Sequence, residues 1–234
     1  MTSLKVDSLF RWPVCGFDGE QLEAAEFGSR GMSGDRVVGI DGERDGAIRM
    51  LSSNVTPAMR FWRAATSPSG IVVHAPDGQT RPWNDPELIA PLSESLGRPV
   101  TMRFDERANH LDHRTVHVIF GSSLAALETE LGMTFDCRRF RPNIVLSGDH
   151  EPFSEGGLVG SKLSFSSGLT LRVTEGCERC AIPTYDPARD ARAPELLRHI
   201  VTQHGKDFGV NCIVENEGPI AIGDSAEPGP LGVS

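Results

Sequence analysis

Nowhere in the 234 residues do 18 apolar side chains run together, and the opening MTSLKVDSLFRW lacks the unbroken apolar stretch of a secretory leader. A membrane-spanning helix is thereby excluded. Positive charge is also scarce: Lys and Arg total 23 against 32 Asp and Glu, for a formal charge of −9 and a pI near 5.3. Neutralising phosphates along a polymer or a lipid surface takes a basic face, so neither nucleic acid nor membrane is expected as a partner. Any positive site must be local. Cysteine is sparse and odd in number: Cys15, Cys137, Cys177, Cys180 and Cys212 are scattered along the chain, a pattern of reduced thiols in a cytoplasmic protein rather than a secreted disulfide framework. No internal repeat is visible.

What the chain does have is glycine, 25 residues or about 11% against a usual ~7%, which implies many tight turns. A chain of this size buries roughly 70–75% of its unfolded surface and needs no metal or disulfide to fold. Short apolar or alternating runs such as SLKVDSLFRW, RVVGID, GIVVHA, PVTMRF, TVHVIF, NIVLSG, LTLRVT and NCIVE lie between Gly, Asp, Asn and Pro, and read as strands. Two segments read as helix. SSLAALETELG has a Ser cap, Leu124, Leu127 and Leu131 at helical spacing, and Gly132 as its stop; APELLRHIVTQHG has Pro194 in its first turn and Leu196, Leu197 and Ile200 on one face. The expected fold is mainly β, a barrel with a few short helices. A short helix and Gly-Arg-Pro turn in SESLGRPVTMRF suggest a division into a β-rich region 1–97 and a domain 98–224. The small-residue, Pro- and Gly-rich stretch 225–234 is expected to be a flexible tail.

The residues with chemical potential begin with EGCERCAIPTYDP, 175–187. One Cys-x-x-Cys pair supplies half of a structural zinc site. His110, His113 and His117 could complete it, yet Thr115–Phe120 reads as a strand whose histidines are more simply surface or core residues. A thioredoxin-type redox pair starts a helix, whereas Pro183 and Asp186-Pro187 here dictate an extended loop. A second stretch, RRFRPNIVLSG at 138–148, sets Arg141 and Asn143 at the beginning of a strand, where guanidinium and amide suit a phosphate or a heterocycle's polar edge.

Taken together, FRPNIVLSG, CERCAIPTYDP and FGVNCIVENEGPIAIGD, with LFRWPVCGFDGEQLEAAEF and GMSGDR nearer the start, closely resemble the MOSC-domain proteins, the molybdenum-cofactor sulfurase C-terminal family. The likeness is greatest to the branch containing the mitochondrial amidoxime-reducing component and its bacterial relatives. It implies a MOSC-type β-barrel and a molybdenum cofactor, molybdopterin, with Cys180 as the metal's protein ligand. A soft thiolate suits that role, and Arg179 beside it would lower its pKa. Cys177 is implied to be structural or close behind the metal ligand, and Glu178 and Arg179 to line the loop. Arg141 and Asn143 are implied to bind the pterin or its phosphate, as is Arg36 of GDR. Gly121 and Ser122, in FGSS, would offer backbone N–H groups at a helix start.

Three features depart from that branch. Cys15 and Gly16 stand where it has Lys-Ser, removing one cationic phosphate contact. Asn211 replaces a tyrosine after FG at the substrate pocket. No plant-type ferredoxin cysteine spacing follows residue 224, so electrons are expected from a separate ferredoxin, flavin or cytochrome protein. The function implied is an enzyme reducing small N-hydroxylated or N-oxygenated compounds, with Asp186 and His113 as candidates near the reacting groups. Asp186 is better suited to fixing the loop by accepting N–H bonds. Persulfide transfer on Cys180, without a pyridoxal-phosphate domain in this chain, and non-catalytic cofactor carriage are the competing functions.

Overall fold

The computed structural model describes residues 4–105 and 116–230; His110, His113, Thr115 and the last four residues of the expected tail lie outside the described residues. The chain divides into two compact units, one of Met1–Phe10, Gln21–Ser33 and His113–Ser234, the other of Arg11–Glu20 and Gly34–Asp112. The units interleave along the sequence, a path that no shift in composition marks. Among the described residues no helix is long and apolar enough to cross a membrane.

Seven strands of the first unit close into a barrel. Their order is Ile144–Gly148, Val116–Phe120, Asp207–Asn216, Thr170–Glu178, Ser161–Phe165, Ser225–Pro230 and Leu4–Arg11, the last pairing back onto the first. Alternation puts Val116, Val118 and Phe120, Ile144 and Leu146, Leu171 and Val173, and Val210 and Cys212 into one buried core. In the first strand a bulge between Val6 and Ser8 changes the phase, so Leu9 joins Leu4 and Val6 inside. The expectation of a mainly β barrel with few helices is met.

Val116–Phe120 and Ile144–Gly148 are parallel, and a parallel pair needs a crossover. Helix α2 (Gly121–Leu131) supplies it, ending at Gly132 with φ 62°. The expected serine cap is absent: Phe120 stands at the N-cap without a side-chain bond, because Ser123 instead donates to Glu155 at 2.9 Å. Helix α3 (Pro194–Gln203) buries Leu196 and Ile200, as its periodicity predicts. The short helix expected before Gly-Arg-Pro is α1 (Ile89–Leu96) of the second unit, stopped by Gly97. That unit has its own core, including Val14, Phe17, Ile40, Trp62 and Leu92.

The stretch 225–230 corrects the expected flexible tail. Ser225–Pro230 is a barrel strand, pairing with both Leu4–Lys5 and Ser161–Phe165, and Ala226 is fully buried. Its composition misleads because Pro228 and Pro230 are two apart. Their missing donors fall on one edge of the strand and leave the other edge to pair.

Candidate functional site

Strand register assembles the site in the first unit. His117 lies opposite Asn211 in one neighbouring strand, and its carbonyl accepts the backbone N–H of Asn143, 2.8 Å away, on the other side. The Asn143 side chain is fully buried. Its Oδ1 accepts the His117 backbone N–H at 3.1 Å and its Nδ2 donates to the Phe10 carbonyl at 3.3 Å. The amide expected to face a pterin is therefore a strap between strands. Arg141, two residues earlier, has a left-handed φ of 53° and caps the 3₁₀ turn Cys137–Phe140. The Arg141 carbonyl lies 3.5 Å from His117 Nδ1.

His117 is buried rather than exposed. With Nδ1–H donating to Arg141, Nε2 is left to accept from Arg179 Nη1 at 3.3 Å; the Phe208 carbonyl, 3.4 Å from Nε2, then makes only a close contact. This assigns the tautomer from its partners. Gly209 makes the crowding possible: its φ is 79°, and a Cβ there would come within 2.6 Å of the Val118 carbonyl and 2.8 Å of His117 Nε2.

The cysteine loop follows. The strand Thr170–Glu178 runs further than the sequence pattern indicates and carries Cys177, so the pair straddles a strand end. Arg179 Nη1 donates to Cys177 Sγ at 2.9 Å, and Nη2 to the Phe140 carbonyl at 2.9 Å. The guanidinium carbon lies 5.4 Å from the Phe140 ring centre, and Phe140 stacks on Phe208 at 4.2 Å. The arginine expected to act on Cys180 thus rests on the first thiol of the pair. Cys180 itself is a free, exposed thiol just beyond the strand. Burial pushes Cys137 up to about 11 and Cys212 up as well, so neither offers a thiolate near neutral pH.

Around the loop are three acidic side chains. Glu178 is exposed, with Lys206 Nζ 3.9 Å away. Glu175 accepts from Asn211 Nδ2 at 3.1 Å. Asp207 takes the space left by Gly176, where a Cβ would fall 2.3 Å from its Oδ2. Burial first, then the charges of Glu178 and Glu175, holds the Asp207 carboxyl above the usual range, with Arg179 acting in opposition.

Beyond Cys180 the loop is pinned. Asp186 accepts the backbone N–H groups of Ala188 and Arg189 at 2.9 and 3.0 Å, and Arg139 Nη2 at 2.8 Å. Arg139 Nη1 also donates to the carbonyls of Pro183 and Thr184, at 3.3 and 3.2 Å. This is the loop-fixing role expected of Asp186, with Arg139 as the partner that sequence alone leaves indistinct among three neighbouring arginines. One further group escapes the sequence reading. Glu155 is buried and accepts from Ser123 and, at 3.3 Å, from the Gly209 N–H. Ser122 Oγ, at the start of α2, and Arg179 Nε are buried without a hydrogen-bond partner among the described residues.

Arg36 and Cys15 belong to the second unit. Arg36 has φ 52°, donates its backbone N–H to the Trp12 carbonyl at 2.8 Å, and pairs its guanidinium with Asp35. The Cys15 backbone N–H donates to the Val38 carbonyl at 2.8 Å.

A family model described as the MOSC domain matches residues 105–227, just over half of the chain. The chain belongs to the MOSC family. The MOSC chain is also 25% identical over 179 residues to ribose 1,5-bisphosphate isomerase of Haloferax volcanii, a match taking in 72% of this chain and 55% of that protein. It thus spans only about half the length of that curated relative. Among solved structures, the YUAD protein from Bacillus subtilis superposes with a TM-score of 0.55 at 17% identity, over 99% of this chain and 100% of the other. YiiM from Geobacillus stearothermophilus gives a TM-score of 0.40 at 21% identity, over 51% and 56% of the two chains. The first likeness agrees with a MOSC fold along the chain.

Proposed function

We propose that this MOSC protein binds a molybdenum cofactor through the barrel unit and reduces small N-hydroxylated or N-oxygenated compounds, as in the amidoxime-reducing branch. The observation that carries the reading is Arg179, held on Cys177 and next in sequence to the exposed Cys180. Arg179 is a half-buried cation with no carboxylate at ion-pair distance among the described residues; its partners are a thiol, an imidazole and a carbonyl. A guanidinium held that way favours an incoming anion, here the cofactor phosphate. One residue on stands an exposed soft sulfur.

The residues present fit such a group. Cys180 would ligate the metal; Arg179 and Arg141 would meet the phosphate or pterin edge; the unpartnered Ser122 Oγ at the start of α2 is a further acceptor or donor for it. When bound, the cofactor supplies two-electron redox chemistry. The chain's own part is to hold and orient. His117 and Cys177 fix the Arg179 side chain, and the Arg139–Asp186 clamp keeps the loop in one shape. Asp207, whose carboxyl keeps its proton to higher pH than an ordinary aspartate, is the candidate proton donor beside the loop. Electrons would come from a separate donor protein.

The exposure of Cys180 favours one second reading, persulfide carriage on that sulfur. A phosphorylated sugar would use the same cation but gives the thiol no part. The experiment is metal analysis of protein made in a cofactor-producing host, wild type beside Cys180→Ala. Molybdenum in the first and not the second is expected, followed by turnover of benzamidoxime or a hydroxylaminopurine with an artificial reductant. Equal molybdenum in both would overturn the ligand assignment; bound molybdenum without turnover would leave a cofactor carrier; persulfide on Cys180 without molybdenum would establish the second reading.

A further inference from the structure

On the same unit, α2 and α3 meet through a cluster that uses no cysteine. Glu130, in the last turn of α2, accepts from two imidazoles at one oxygen: His199 Nε2 lies 2.6 Å and His204 Nε2 2.8 Å from Oε2. His199 is in α3, and His204 caps its C-terminal end, with its backbone N–H bonded to the Ile200 carbonyl at 3.0 Å. The three ligand atoms all lie within 4.8 Å of one another. The His204 ring is held in place. His204 stacks on Phe153 with ring centres 3.6 Å apart and planes 19° from parallel. Phe153 holds an uncommon left-handed φ of 59°, and its backbone N–H donates to Ser123 Oγ at 2.9 Å. The wall behind His204 is therefore set by the same Ser123 that engages buried Glu155.

We propose that Glu130, His199 and His204 form a binding site for one divalent transition-metal ion of the zinc type, built on α2 and α3 rather than on the cysteine loop. Two imidazoles and one carboxylate with a fourth position left to water is a donor set that zinc uses, at about 2.0–2.1 Å from nitrogen. Ligands around a tetrahedral ion of that size stand about 3.3 Å apart. The observed 2.6 and 2.8 Å separations need only a small swing of the exposed Glu130 side chain to admit the ion. Bound there, the ion would clip the end of α2 to the end of α3.

The test is titration of the EDTA-treated full chain with Zn²⁺ by calorimetry and with Co²⁺ by visible absorption. One equivalent is expected, with a cobalt spectrum lacking thiolate charge-transfer bands. Binding should weaken at least tenfold in Glu130→Gln and in His199→Gln, whose side chains lie toward the surface, and vanish in the double variant His199→Gln/His204→Gln. Circular dichroism checks that each remains folded. Binding should be unchanged in Cys177→Ser/Cys180→Ser. The site is overturned if wild type takes up no metal, if uptake survives in the double histidine variant, or if the cysteine variant abolishes it.

Discussion

The two halves of the 175–189 segment treat positive charge differently. Past Cys180, Arg139 is buried against a buried counter-ion, Asp186, and two carbonyls, and Asp186 is itself bonded by two backbone N–H groups. Before Cys180, Arg179 is aimed by groups that carry no formal charge to answer its own. Arginine is the same residue in both places, and its neighbours decide its use. A neutralised guanidinium sets the shape of a loop, while one whose hydrogen-bond partners are all uncharged groups remains attractive to an anion arriving from outside.

The largest effect that could break this contrast is on stability. Asp186→Ala leaves Arg139 buried and uncompensated and should cost about 3–5 kcal/mol by urea unfolding; a loss under about 1 kcal/mol would mean that the clamp does not hold the loop. Arg179→Leu should do the reverse. Its unfolding midpoint should move little, while loss of charged hydrogen bonds worth about 1.5–3 kcal/mol lowers molybdenum retained after desalting roughly tenfold or more. Arg179→Lys should recover part of that retention, since charge returns without the forked geometry.

Acidity sharpens the comparison further. Burial alone would raise the Asp186 carboxyl, but the Ala188 N–H, then the charges of Arg139 and Arg189, outweigh it and hold it low. Its stabilisation is thus present above the ordinary carboxylate range of about 3.9 and is lost as pH falls through the depressed value. Asp186→Asn should flatten the acid limb of the stability curve below about pH 5. Asp207 has the opposite sign. Its raised value means stability that is full in acid and lost as pH rises through it, so Asp207→Asn should slightly stabilise the protein at pH 7 in the same unfolding assay, the smallest change of the set. Gly176→Ala, which displaces the Asp207 carboxylate, should mimic its sign only if the cost of its own backbone is small.

Much of the barrel was legible because its strands alternate cleanly, as in Val116–Phe120 and Ile144–Gly148. The helix stops were legible because Gly97 and Gly132 take the left-handed conformation that glycine favours. Short pairings such as Gly31–Met32 and Thr80–Pro82 carry too few residues to show a period. Within the candidate site, Cys177, Cys180 and Arg141 stand out by kind and spacing, while Arg179 and the role of Cys180 come only from the family resemblance. The division of labour was not legible: Arg139 differs from Arg138 and Arg141 only through Asp186, 47 positions away, and Asn143 becomes a strap only because Phe10 and His117 flank it. Glu130 lies 69 positions from His199 and 74 from His204, a convergence that only packing of two helices creates.

The seam where Leu4–Lys5 meets Ser225–Ala226 also has a bearing on synthesis. Translation delivers one side of this junction first and the other after more than two hundred further residues, so the ring cannot seal while the ribosome still holds residues 225–230. Until then the first strand's edge is open to wrong pairing. Removing Ser225–Pro230 would leave that vulnerability permanent, so trimming the protein there, however loop-like its letters, should trade a sealed ring for an aggregating sheet.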